Sequence, residues 1–228
     1  MATEGGRAGE SAHGAYVVAR RHARARGAVS TALATSGAVL ACYGLAGHIV
    51  AGGGAGLLVI GAVMARPRPD PQRWSRGAEG ERATAALLER LPARKWVVLH
   101  DRRVPGSRAN IDHLVVGPTG VWVVDTKALR AEVRAGWRSV RVGDGFLDVE
   151  PAAWEAEVVA DRLGVVVTPV VAVHGPRVAL PRRGRRCRGV RVVPAGALVR
   201  RLSKGRRRLR RAQVRALAER AEEFFTPF

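Results

Sequence analysis

Residues Ile111 to Lys127 read IDHLVVGPTGVWVVDTK. Two Val-rich apolar runs flank Gly117-Pro118-Thr119-Gly120, a pattern that specifies an antiparallel hairpin. With a symmetric loop of two or four residues, paired positions sum to 237: Val116 meets Val121, Leu114 meets Val123 and Asp112 meets Asp125. A three-residue loop with a bulge would break that register. Side chains alternate faces along a strand, so Asn110, Asp112, Asp125 and Lys127 share one face.

Two carboxylates facing each other across a strand pair sit with Cβ atoms roughly 4.5–5.5 Å apart and repel by about 0.2–1 kcal/mol. Asp is also depleted in strands. A divalent cation bound through carboxylate oxygens converts the repulsion into coordination, and Mg²⁺ is commonly held by one or two carboxylates plus water and substrate phosphate. The competing reading is a frayed hairpin end with both acids solvated. Lys127 adds information, because Lys95, Lys127 and Lys204 are the three lysines among 39 basic residues. Its compact ammonium suits a place beside an attacking water and a phosphate oxygen better than a guanidinium fork does.

The 228 residues leave room for one medium domain and a smaller element, and a formal net charge of +20 with pI near 11.7 points to an anionic partner, nucleic acid or acidic lipid. Cys42 and Cys187 are too isolated for a disulfide framework or a cysteine zinc site, and the histidines show no paired ligand spacing. No Walker A loop occurs; Gly52-Gly53-Gly54-Ala55-Gly56 lies in an apolar run and reads as membrane packing or a turn.

Residues 1–26 read as a basic, disordered cytoplasmic tail. Residues 27–65 contain no Asp, Glu, Lys or Arg. That is too long for a signal peptide and longer than the about 17–25 residues of one span. Arginines on both flanks require an even number of crossings under the positive-inside rule, so the block is expected to be a transmembrane helical hairpin, with both termini and the following domain cytoplasmic. A single tilted span and a re-entrant loop are the alternatives. Residues 66–76 read as a stiff Pro/Arg linker. Beyond it the sequence suggests a helix from Glu79 to Leu91, a strand from Trp96 to His100, a loop carrying Arg102, Arg103 and Arg108, the hairpin, short strands within 131–149, a helix from Pro151 to Leu163 stopped by Gly164, strands over 165–173 and 190–193, and helices over 195–202 and 206–225. This order predicts a mixed sheet covered by helices, an α/β (α+β) domain.

These residues resemble the nuclease-related domain (NERD) family, a branch of the PD-(D/E)xK restriction-endonuclease-like superfamily. The resemblance covers about residues 77–174 and rests on Gly77-x-x-Gly80-Glu81 opening a helix, on Ile111-Asp112-His113, and on Gly120-Val121-Trp122-Val123-Val124-Asp125-Thr126-Lys127. It implies an αβββαβ core and metal-dependent nuclease chemistry. Carried over by position, Glu81 would be the helix-borne acid, with Glu79 its rival; Asp112 the central metal ligand; and Asp125 and Lys127 the acid-x-Lys pair. The implied cofactor is Mg²⁺ or Mn²⁺, with the Thr126 backbone carbonyl as a further ligand. Asp125 stands where the family more often has Glu, Asn110 and Ile111 replace the Pro, and the helix after the hairpin lacks a Gln near Trp154. His113 should face away from the acids and serve packing.

On this reading residues 77–180 are the nuclease-related domain and 181–228 an Arg-rich helical extension. Arg102, Arg103, Arg108, Arg182, Arg183, Arg185 and Arg186 are the candidate nucleic-acid contacts, with DNA the first expected substrate and anionic membrane lipid a second partner. Few aromatics interleave with the arginines, so the sequence does not indicate a stacking platform for single strands. Two functions follow: a membrane-anchored metal-dependent nuclease, or a non-catalytic membrane tether that holds nucleic acid or another partner.

Overall fold

A computed structural model describes residues 71–228, with side chains described from Ser75 onward. The basic tail, the expected membrane hairpin over 27–65 and the first part of the linker lie outside the described residues. Among the described residues no helix is long and apolar enough to cross a membrane.

Helix α1 (Pro71–Leu88) is followed by strands β1 (Val97–Arg103), β2 (Asn110–Gly117) and β3 (Gly120–Ala128). Three short strands, β4 (Val133–Ala135), β5 (Val140–Val142) and β6 (Gly145–Phe146), precede helix α2 (Glu150–Leu163). Then come β7 (Val167–His174), β8 (Val178–Ala179), β9 (Arg185–Cys187), β10 (Val190–Pro194), a 3-10 turn, α3 (Leu198–Ser203) and α4 (Arg211–Phe224). The main sheet runs β1-β2-β3-β7-β10-β9, antiparallel at both ends and parallel where β3, β7 and β10 pair; β6-β5-β4-β8 form a smaller sheet. This is a mixed α/β fold containing the expected αβββαβ order.

The hairpin register sums to 237 from Gly117↔Gly120 to His113↔Val124, as a two-residue turn requires. Val121 and Val123 with Leu114 and Val116 pack one face of the sheet against Val159 and Leu163 of α2 and Val214, Leu217 and Ala221 of α4. Val115, Trp122, Val124, Val170 and Ala172 pack the other face against Leu88 of α1 and Leu198 and Leu202 of α3. Period-two strands thus separate two helical layers. Gly164 ends α2 in the left-handed conformation at φ 64°, its N–H bonded to the Ala160 carbonyl.

Several boundaries differ from expectation. Helix α1 starts at Pro71, so part of the expected linker is helical: a proline is tolerated in a helix's first turn, where its missing N–H costs nothing. Arg102 and Arg103 belong to β1 rather than to a loop. Residues 206–210 stay outside α4, because their four arginines in five positions would repel along a helix; instead the N–H groups of Arg208 and Leu209 donate to the Pro118 carbonyl at 2.7 and 3.1 Å. The C-terminal segment is no helical appendage: β9 and β10 extend the main sheet, and Val214, Leu217, Ala221 and Phe225 complete one of its cores.

Candidate active site

Strand alternation continues the Val121–Val123 face to Asp125 and Lys127, beneath α2. The ladder between β2 and β3 stops at His113↔Val124. Beyond it the Asp112 carboxylate takes the place of a backbone partner, its Oδ2 accepting the Thr126 N–H at 2.7 Å. In an extended strand the N–H and C=O of one residue point the same way, so the Thr126 carbonyl faces the opening where Asp112 stands. Lys127 Nζ donates to Asp125 Oδ1 at 2.7 Å, while Asp125 Oδ2 is buried without a hydrogen-bond partner.

Glu81 enters from α1. A Cβ on the preceding Gly80 would lie 2.8 Å from the Ala128 Cβ and 3.3 Å from the Thr126 methyl, so the glycine is what lets the helix approach β3 this closely. Glu79 is exposed; it accepts a hydrogen bond from Ser75 and lines a cleft with Arg76, Arg130 and His174, away from the acids around Asp125. The structure therefore brings Glu81, not its rival, to Asp112, Asp125 and Lys127.

Two further acids belong to this cluster. Glu155 of α2 is buried, with Oε2 lacking a partner, and faces Asp125 and Lys127. It follows the Trp154 beside which a Gln was expected. Its signal was present in the sequence: buried positions 152, 155, 156, 159 and 163 form one helical stripe, and Glu155 is the acid on it. Asp101 is buried in β1 at φ 49°, a left-handed conformation that Asp tolerates better than most residues, and its Oδ1 accepts from Asn110 Nδ2 at 2.8 Å.

The electrostatics share one sign. Burial pushes Glu81 up to about 7, helped by Asp101 and Asp125, with Lys127 and Arg82 opposing. Burial raises Glu155 to about 8, again with Asp125 adding and Lys127 opposing. Asp112 lies well above the usual carboxylate range through burial, then Asp125, Glu81 and Glu155, against the Thr126 hydrogen bond. Asp125 is raised by burial in spite of Lys127. Four carboxylates pushed upward together mark a place short of positive charge.

Behind the site, on the α1 side, runs a hydrogen-bonded chain that is buried at its centre and half-buried at its ends. His100 Nδ1 meets His113 Nδ1 at 2.8 Å, His113 Nε2 lies 3.4 Å from Thr126 Oγ1, Thr126 Oγ1 donates to Thr84 Oγ1 at 3.0 Å, and Thr84 Oγ1 meets His174 Nε2 at 2.7 Å. If Thr126 donates to Thr84, the Thr84 proton goes to His174, and every link is satisfied with the three imidazoles neutral. Burial lowers all three histidines, which agrees. His113 indeed faces away from Asp112.

Of the expected phosphate contacts, Arg103, Arg108, Arg182, Arg183 and Arg186 are exposed and Arg185 is half-buried. Arg102 is buried, lying beneath the C-terminal tail through a β-bridge with Pro227, and has no surface to offer a phosphate. Among the described residues no three His, Cys, Asp or Glu side chains converge closely enough to hold a metal ion.

Residues 76–174 match the nuclease-related domain family. An uncharacterized protein of Bacillus anthracis is 30% identical over 93 residues, which are 40% of this chain and 42% of that protein, so the similarity spans about two fifths of either. No solved structure matches. The match runs from within α1 to the end of β7, across the elements that carry Glu81, Asp112, Asp125, Lys127 and Glu155.

Proposed function

We propose that this domain is a metal-dependent nuclease that hydrolyses phosphodiester bonds, anchored to the membrane by residues 27–65 with its catalytic part cytoplasmic. The observation that carries the reading is the cluster itself: four carboxylates with raised pKa values around one lysine, two of them with a buried, unpartnered oxygen.

The donor set fits a hard cation, being all oxygen, and the orphaned Asp125 Oδ2 sits among like charges that a cation would neutralise. Asp112, Asp125, the Thr126 carbonyl and Glu81 would hold Mg²⁺ or Mn²⁺. Such an ion, when bound, supplies Lewis-acid polarisation of the phosphate and a more acidic water. The remaining work belongs to the chain. Lys127 keeps its proton at neutral pH, since Asp125 and Asp112 outweigh its burial, and offers that charge to a phosphate oxygen. Glu155 carries a proton near neutral pH within reach of the same region. The exposed arginines bind backbone phosphates without reading sequence.

A second reading, a non-catalytic membrane tether with a nuclease-like fold, draws support from the Lys127–Asp125 ion pair occupying one ligand oxygen and from the lack of a preformed three-ligand set among the described residues. The test is cleavage of supercoiled DNA, single-stranded DNA and RNA by the full-length chain in Mg²⁺, Mn²⁺ or EDTA, beside Asp112→Asn and Lys127→Ala. Metal-dependent cutting lost in both variants supports the nuclease. Wild type that binds every substrate and cuts none establishes the tether.

A further inference from the structure

The small sheet turns one face inward, where Val133 and Val140 join a core with Leu147 and Ala152. Its other face is different. Pairing of Ala179 with Arg134, of Arg134 with Arg141 and of Arg141 with Phe146 draws one row across all four strands, and every residue in it is exposed. The Arg141 guanidinium lies 5.6 Å from the centroid of the Phe146 ring, which is 67% exposed. At the β4–β5 turn Trp137 is 86% exposed, and its carbonyl accepts a hydrogen bond from Arg185, which ties the arginine-rich 182–186 segment to that turn. Single exposed aromatics are ordinary, but an exposed ring beside a guanidinium on this sheet face, with a second exposed ring at the turn that joins two of its strands, is not explained by packing.

We propose that this face is a stacking platform for single-stranded nucleic acid, which it leads toward the carboxylate cluster. Flat rings reward exposed base faces, and the guanidinium groups of Arg141 and Arg138 meet the phosphates between them. A duplex hides its base faces in its own stack and would offer this surface its phosphates alone. Arg134 is paired with Glu132 at 2.6 Å, so the platform carries one acid as well. Continuity with the site is direct in the chain: Asp148, two residues past Phe146, acts electrostatically on Asp125, and the half-exposed Trp154 precedes Glu155. The sequence hides this arrangement because strand pairing joins Arg141 to Phe146 and a side-chain hydrogen bond brings Arg185 to Trp137. Only what happens after docking rests on the nuclease reading.

The test measures binding of fluorescein-labelled oligothymidylate, oligouridylate and a mixed-sequence duplex to the full-length chain in EDTA. Trp137→Ala and Phe146→Ala are each expected to weaken single-strand binding about 5-fold or more, while duplex binding moves less than about 2-fold. Trp137→Phe should retain the wild-type affinity, and quenching of indole fluorescence by the oligomer should shrink in Trp137→Ala. A response of either oligomer in this pattern supports the platform. Wild-type affinity in the double Trp137→Ala/Phe146→Ala variant, or equal losses for single strand and duplex, overturns it. Because EDTA suppresses metal-dependent cleavage, a chain that shows this binding pattern yet cuts nothing in Mg²⁺ or Mn²⁺ overturns the nuclease and leaves the platform standing.

Discussion

Glu155 is the residue whose behaviour is most diagnostic, because nothing in helix packing explains it. A carboxylate on the buried stripe of α2 with an unpartnered oxygen has its proton affinity raised from an ordinary 4.5 to about 8. Below pH 4.5 the folded and unfolded chains both hold that proton. Between pH 4.5 and about 8 only the folded chain does, so unfolding releases it and stability falls as pH rises, by on the order of 1.4 kcal/mol per pH unit until the curve levels. Glu81, raised to about 7, acts in the same direction. Thermal melts in EDTA should therefore show a lower Tm at pH 8 than at pH 5, with Glu155→Gln removing its own share of that slope and added Mg²⁺ raising the pH 8 value. An unchanged slope in Glu155→Gln would remove this residue from the cluster. Asp112, Asp125 and Lys127 stood out in the sequence because strand alternation is a short-range rule that Asp spacing obeys visibly. Glu155 stood where a Gln was expected, and a buried acid such as Asp101, at a left-handed position inside a strand, has no local signature.

At the scale of elements, the close approach of α1 to β3 decides whether Glu81 reaches the site. Alanine is a better helix former than glycine by about 1 kcal/mol. At position 80, however, its methyl would lie 2.8 Å from the Ala128 Cβ, and neither atom can rotate away. Overpacking of this kind costs about 1–3 kcal/mol, so Gly80→Ala should lower the urea midpoint and reduce cleavage further than the lost stability explains, through displacement of Glu81. The polar chain behind β3 makes a second demand. Thr84→Val keeps the volume but leaves Thr126 Oγ1 and His174 Nε2 without their buried partner, a cost of about 1–3 kcal/mol measurable in the same titration. Hairpin register, α2 and its Gly164 cap were legible in the sequence because turn chemistry and helix caps are local. The early start of α1 was not: its Arg- and Pro-rich opening resembles a linker. The late start of α4 was equally hidden, because Arg210 is capped by Gln213 and the preceding arginines are drawn to the hairpin turn by backbone bonds to Pro118.

For the whole molecule the question is where the folded unit ends. Residues 181–228 read as an extension because composition changes there to dense arginine, yet charge density reports the surface and says nothing of the strands between. The described structure puts β10 beside β7, and Phe225, fully buried, against the core shared by β1, β2 and α2. The tail beyond it returns to β1: Arg103 N–H donates to the Thr226 carbonyl at 2.9 Å and Phe228 N–H to the Asp101 carbonyl at 3.0 Å. Asp101 in turn raises Glu81, so the last residues support the environment of a site formed more than a hundred positions earlier. Two truncations separate these roles. Ending the chain after Arg210 strips Val214, Leu217, Ala221 and Phe225 from the core, and loss of three large buried apolar side chains at about 1.5–3 kcal/mol each, with Ala221 besides, is comparable to the whole of the about 5–15 kcal/mol that holds a domain folded; the product should show no cooperative thermal transition. Ending it after Phe225 spares the core and removes the two tail hydrogen bonds, so the transition should survive with a modestly lower Tm while cleavage falls, because β1 is released at Asp101. A chain cut at Arg210 that melts cooperatively at the full-length Tm would show the segment to be an appendage after all.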